Sequence, residues 1–276
     1  MSRSSTSTPA IETDGLTKQY GDTTAVESLQ LRIPSGSIYG FLGPNGAGKT
    51  TTMSMLTTLT TPTSGTAHVA GYSIANREEV TSHIGYLPEE PPLYDELTGR
   101  EQLEYLAGLR DMTPARSEER IETLLDRFDL TGDADARIST YSKGMKQKTG
   151  LIQALLHDPD VLFLDEPTSG LDPRAARTVR ETIAELAAGD TTVFLSTHIL
   201  PVVEELADTV GVLYNGELVA EGAPDTLTER AEAGEESTLE DVFLEVTDDQ
   251  GAYTEAADET TIESDSDRER EAGPSA

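Results

Sequence analysis

The sequence has no cysteine, which excludes disulfides and thiolate-held metal sites. Its four histidines, His68, His83, His157 and His198, are scattered and argue against a histidine metal cluster. Positive charge is scarce: 20 Lys and Arg stand against 51 Asp and Glu, a net charge of −31. That balance opposes nucleic-acid binding, because attraction to phosphate needs cations. The acids run along the whole chain, so they mark no single basic partner. We read them as a surface for high salt, where screening weakens self-repulsion, and expect a halophilic, haloarchaeal-type source. No run of 18 apolar residues exists, so no membrane span is expected. Residues 1–10 are rich in Ser and Thr and lack an apolar stretch. They are expected to be a disordered lead-in, not a signal peptide.

What remains is enough for a core: 36% of 276 residues are hydrophobic. Residues 11–33 read as strands around a turn at Gly21-Asp22, and Ser37 to Leu42 as a short buried strand. Thr51 to Leu59 reads as the start of a helix, with Met53, Leu56 and Leu59 on one side. Further strands are expected at 67–70 and 84–88. Residues 98–156 then turn helical, with one stripe of Leu103, Leu106 and Leu109 and another of Ile121, Leu124, Leu125 and Phe128. Strands at 161–164 and 192–195 alternate with helices at 173–186 and 202–207, and Asn215-Gly216 marks a hairpin. Alternating strands and helices predict an α/β fold with a mainly parallel sheet and an inserted helical subdomain. After about Asp248 the chain is acidic and apolar-poor, and is expected to be a disordered tail. No internal repeat is evident.

Gly43-Pro44-Asn45-Gly46-Ala47-Gly48-Lys49-Thr50 matches G-x-x-x-x-G-K-[ST] at every fixed position, between the predicted strand and the predicted helix. Glycines let backbone N–H groups turn inward toward a phosphate, and the helix N-terminus adds positive potential. Lys49 is placed for the β- and γ-phosphates, and the Thr50 hydroxyl for Mg²⁺. By itself the loop says only that a nucleotide is held.

Val161-Leu162-Phe163-Leu164-Asp165-Glu166 puts two carboxylates at the end of a buried strand, the edge where ligands of open α/β sheets bind. Asp165 is placed to hold Mg²⁺ and Glu166 to act as general base or to orient water. Alone, two such acids are an ordinary solvated strand end. Tyr141-Ser142-Lys143-Gly144-Met145 opens another helix, with Ser142 as N-cap and Lys143 keeping the first turn positive. Alone, that segment is an ordinary capped helix.

The order of these parts resembles the ATP-binding subunits of ABC transporters, over roughly residues 11–247. Gly43 to Thr50, with Thr51 beside it, is similar to Walker A, and Val161 to Glu166 to Walker B with its catalytic glutamate. Ser142, Lys143, Gly144 and Met145 stand where the family signature stands, with Lys143 for a glycine and Met145 for a glutamine. Asp172, in Ser169-Gly170-Leu171-Asp172, resembles the D-loop, and His198 the switch histidine. Tyr20 falls where the family stacks a ring on adenine. Glu89 replaces a glutamine that contacts Mg²⁺.

The resemblance implies a P-loop NTPase core with an N-terminal antiparallel β subdomain. It also implies a head-to-tail homodimer, or a pair with a related subunit, closing on ATP and Mg²⁺. The transmembrane permease would be a separate polypeptide, leaving this chain cytoplasmic and peripheral on the membrane. Arg100-Glu101-Gln102-Leu103, the signature and Ser237 to Phe243 look most like the ABC-2 type exporters. Alternatives are a soluble ABC ATPase acting on nucleic acid or ribosomes, which the acidic balance opposes, and a P-loop kinase or GTPase, which the ordered signature and His198 oppose.

Overall fold

The structure, a computed structural model, describes residues 8–228. The first elements are β1 (Ile11–Tyr20), β2 (Thr23–Ile33), β3 (Ile38–Leu42) and α1 (Lys49–Leu56). They are followed by β4 (Ser64–Val69), β5 (Tyr72–Ser73), α2 (Arg77–His83) and β6 (Ile84–Leu87). The helical stretch holds α3 (Gly99–Leu109), α4 (Pro114–Arg127) and α5 (Lys143–Leu155). The chain then runs through β7 (Val161–Asp165), α6 (Pro173–Ala188), β8 (Thr192–Thr197) and α7 (Leu200–Leu206). It finishes with β9 (Thr209–Tyr214), β10 (Glu217–Gly222) and α8 (Pro224–Thr228).

The strands form two sheets. One is antiparallel, in the order β2-β1-β4-β5; the other has the order β10-β9-β3-β8-β7-β6 and is parallel except for β10. Every residue of β3, β7 and β8 is buried, as expected for parallel strands covered on both faces. Their side chains alternate between two cores. Tyr39, Phe41, Phe163 and Phe194 join Met53, Met55 and residues of β1 and β2 on one face. Leu162, Leu164, Val193 and Leu195 join Leu103, Leu124, Leu151 and Ile183 on the other. The helical segment thus shares one continuous core with the sheet.

Two apolar stripes are shorter than expected. Helix α1 starts at Lys49 and ends at Leu56, so Leu59 lies beyond it and is 55% exposed. Leu103 is buried and Leu106 half-buried, but Leu109 is 63% exposed. For Leu59 the cause is the end of the helix. For Leu109 it is rotation: a strict three-residue spacing loses about 60° per step on a 3.6-residue helix, so the third member turns off the core face. Helix α2 carries no apolar stripe in the sequence, because Val80 is its one buried residue. The Asn215-Gly216 turn does form, with both residues at positive φ. The segment Ser237 to Phe243, the boundary near Thr247 and the tail from 248 lie outside the described residues, as does most of the lead-in.

Candidate functional site

The nucleotide loop leaves β3 at Leu42 and enters α1 at Lys49, at the carboxyl edge of the parallel sheet. Gly48 has φ +107, and a Cβ there would sit 2.4 Å from the Ala25 carbonyl oxygen, so only glycine fits. The β9–β10 turn braces the loop: the Gly216 N–H donates to the Ala47 carbonyl (2.9 Å) and the Glu27 N–H to the Gly216 carbonyl (2.8 Å).

Lys49 is buried, and its ammonium donates to the carbonyls of Gly43 (2.7 Å) and Pro44 (3.2 Å). Burial lowers its pKa, and the charges of Glu166, Asp165 and Glu89 oppose that shift. The lysine is thus tied back along its own loop with its charge turned toward three carboxylates. Parallel pairing of β7 with β8 brings Asp165 opposite Ser196. Asp165 accepts from the Ser196 hydroxyl at 2.5 Å on one oxygen and from the Thr50 hydroxyl at 2.9 Å on the other. Nearby Tyr86 is pushed up to about 12, by burial and then by the Asp165 charge.

Glu166 is buried at φ +48, a left-handed conformation that costs a non-glycine residue on the order of 1 kcal/mol. Two backbone bonds hold it there: its N–H donates to Ser196 C=O, and its C=O accepts from Ser169 N–H. Its carboxylate accepts from the Thr197 hydroxyl at 2.9 Å and meets His198 Nδ1 at 2.8 Å. Lys49 Nζ lies 3.9 Å away.

A cavity of about 170 Å³ opens between these groups, lined by Asn45, Gly46, Gly48, Lys49, Thr50 and Thr51 on one side and Glu89, Asp165 and Glu166 on the other. Ala25 completes the wall. The structure therefore brings together nine of the residues singled out from the sequence. Gly43, Pro44, Ala47 and His198 lie behind or beside that wall, touching its residues, while Tyr20, Ser142, Lys143, Gly144, Met145 and Asp172 are not on it. Tyr20 is 52% exposed at the end of β1, with Lys18 Nζ 4.9 Å from its ring centre. Ser142 caps α5, its hydroxyl accepting from Met145 N–H, and Lys143 Nζ lies close over Gly170. The Asp172 carboxylate caps α6 through Arg174 and Ala175 N–H.

Ser196, Thr197 and Ala25 were missed by sequence reasoning. Ser196 and Thr197 directly precede His198, but only strand pairing shows that they hold the two acids. The oxygen donors Thr50, Asp165 and Glu89 fit a hard cation such as Mg²⁺. Among the described residues no cluster of three or more His, Cys, Asp or Glu could enclose a metal. A cation here would take most of its ligands from phosphate and water, which suits Mg²⁺.

The family described as ABC transporter matches residues 26–169. The Daunorubicin resistance ATP-binding protein DrrA3 of Streptomyces coeruleorubidus is 39% identical over 94% of this chain and 81% of its own length. The Nod factor export ATP-binding protein I of Paraburkholderia xenovorans is 40% identical over 79% of this chain and 72% of its own. A solved ATP binding subunit of an ABC transporter superposes with a TM-score of 0.79 at 32% identity, covering 86% of this chain and 99% of that one.

Proposed function

The chain belongs to the ABC transporter family, and on that footing we propose that it is the ATP-hydrolysing subunit of an exporter. The observation that carries this reading is the convergence of Lys49 and Thr50 with Asp165 and Glu166 on one cavity at the sheet's carboxyl edge. The exporter assignment follows relatives whose names speak of drug resistance and of export.

Each residue has a task that its place permits. The N–H groups of residues 45–50 and the Lys49 ammonium receive the phosphates, exchanging the Gly43 and Pro44 carbonyls for phosphate oxygens. Thr50, Asp165 and Glu89 would hold Mg²⁺, which neutralises phosphate charge when bound. Glu166 orients a water and draws its proton as the water oxygen bonds to the γ-phosphorus and the bond to the ADP oxygen breaks. His198 holds Glu166 and contacts the γ-phosphate. Tyr20 stacks on adenine.

Ser142 to Met145 lie off the cavity wall, and we place them on the nucleotide of a second copy or of a related subunit. The positive end of α5, strengthened by Lys143, then meets the γ-phosphate across the interface. ATP joins the subunits, and its hydrolysis removes the group that joins them. A separate permease would receive the motion, with this chain peripheral on the cytoplasmic face; no helix among the described residues is long and apolar enough to cross a membrane. Organisation as residues 11–247, with a helical subdomain at about 98–156, belongs to the same proposal. The test is ATP binding and turnover by the full chain beside Lys49→Ala, followed by co-purification with a membrane subunit. Unchanged ATP affinity in Lys49→Ala would overturn the reading.

A further inference from the structure

Gln102 is 1% exposed, an unusual place for a side-chain amide unless it is paired. Its oxygen accepts from the Tyr94 N–H at 3.1 Å. Its nitrogen donates to the Pro92 carbonyl and to the Gln153 side-chain oxygen, each at 3.4 Å. Both amide hydrogens and the oxygen are therefore used. By pairing with a carbonyl and an N–H two residues apart, the amide acts on the loop as a neighbouring strand would. It fixes one backbone conformation three to five residues beyond Glu89.

Other contacts press the same loop onto α5, the helix that carries Ser142 to Met145. Lys146 Nζ donates to Asp95 at 2.8 Å, from the turn next to the signature. Pro91 lies over Gly150, where an added Cβ would come within 2.7 Å of the proline ring and 2.6 Å of Leu87. The rest of the Arg100-Glu101-Gln102-Leu103 motif has plain structural work. Arg100 pairs with Glu122 and Asp135, Glu101 completes a capping box with Thr98, and Leu103 is core. Gln102 alone in the motif faces the loop.

We propose that Gln102 is a positioning residue: its amide holds the Pro92–Tyr94 segment, and Glu89 with it, in fixed register on α5. Glu89 at the cavity and the signature at the head of α5 then move as one body. This rests on the proposed role of Glu89 toward Mg²⁺.

The test uses the full chain and two readouts. The first is the Mg²⁺ midpoint for binding a fluorescent ATP analogue, measured in Gln102→Leu, Gln102→Glu, Glu89→Ala and the Gln102→Leu/Glu89→Ala double variant, each with its Tm checked. Gln102→Leu should raise the midpoint about tenfold, as expected for the loss of the two hydrogen bonds to the loop among its three. Gln102→Glu, which keeps the acceptor for Tyr94, should fall between, and the double variant should match Glu89→Ala alone. A midpoint that moves in Glu89→Ala but not in Gln102→Leu, or additive effects, overturns the proposal and leaves Glu89 standing. A midpoint unmoved in Glu89→Ala overturns the Glu89 role instead. Hydrogen exchange then decides for Gln102 by itself. Faster exchange at Tyr94 together with residues 145–146 in Gln102→Leu supports the tie to α5, and unchanged exchange at 145–146 overturns it.

Discussion

Glu166 Oε1 and His198 Nδ1 lie 2.8 Å apart, with the carboxylate buried and the ring half-exposed at the mouth of the site. Among the described residues the acid's other partners, Thr197 and Lys49, are buried, so the histidine is its exposed partner. Removing the ring frees one carboxylate oxygen to rotate but leaves the phosphate loop untouched. His198→Ala should lower turnover about a hundredfold, the usual scale for a displaced acid–base group. ATP affinity should stay within about twofold. Steady-state hydrolysis beside a nucleotide titration checks both; an equal loss in affinity would show that His198 acts mainly on binding.

His157 sets a pH dependence of stability far from the site. Its Nε2 donates to the Ile84 carbonyl at 2.8 Å, while Nδ1 is buried with no partner. Burial, then the charge of Arg110, pulls its pKa down to about 4 from 6.5. Between those values the unfolded chain binds the proton and the folded chain does not. Stability therefore falls as pH drops from about 6.5 toward 4, by on the order of 2 kcal/mol from this group. Urea unfolding at pH 7 and pH 4.5 should show a smaller drop for His157→Gln than for the native chain. Equal drops would remove His157 as a cause.

The net charge of −31 makes a prediction about salt. Charges a Debye length apart are felt at about 10 Å in 0.1 M salt and about 3 Å in 1 M. Raising KCl from about 0.1 to 1 M should raise both the Tm and the turnover of the full chain, if the acidic surface is suited to high salt. An optimum at low ionic strength would count against that reading.

Much of this was legible in the sequence for a physical reason. The strands that carry the site, β3, β7 and β8, are short, largely apolar runs, and buried parallel strands have to look like that. A glycine-proline turn ends β3 and two acids end β7. Gly48 and the Asn215-Gly216 turn announce backbone conformations that few other residues adopt. What the sequence hid depends on pairing across strands. Ser196 supports Asp165, and Thr197 supports Glu166, because β7 and β8 are neighbours, although about thirty residues separate them. Leu59 and Leu109 misled because apolar character alone does not say where a helix ends or how far its face has turned.

If ATP closes two copies, Glu166 should be needed for hydrolysis and not for binding. Glu166→Gln keeps the size of the side chain and its contacts with Thr197 while removing the base. Sedimentation of this variant with and without Mg²⁺-ATP, beside its turnover, is the direct test. Closure on ATP predicts a stable dimer with ATP, a monomer without it, and the loss of most turnover. A variant that stays monomeric at saturating ATP, or hydrolyses it at the native rate, would contradict it.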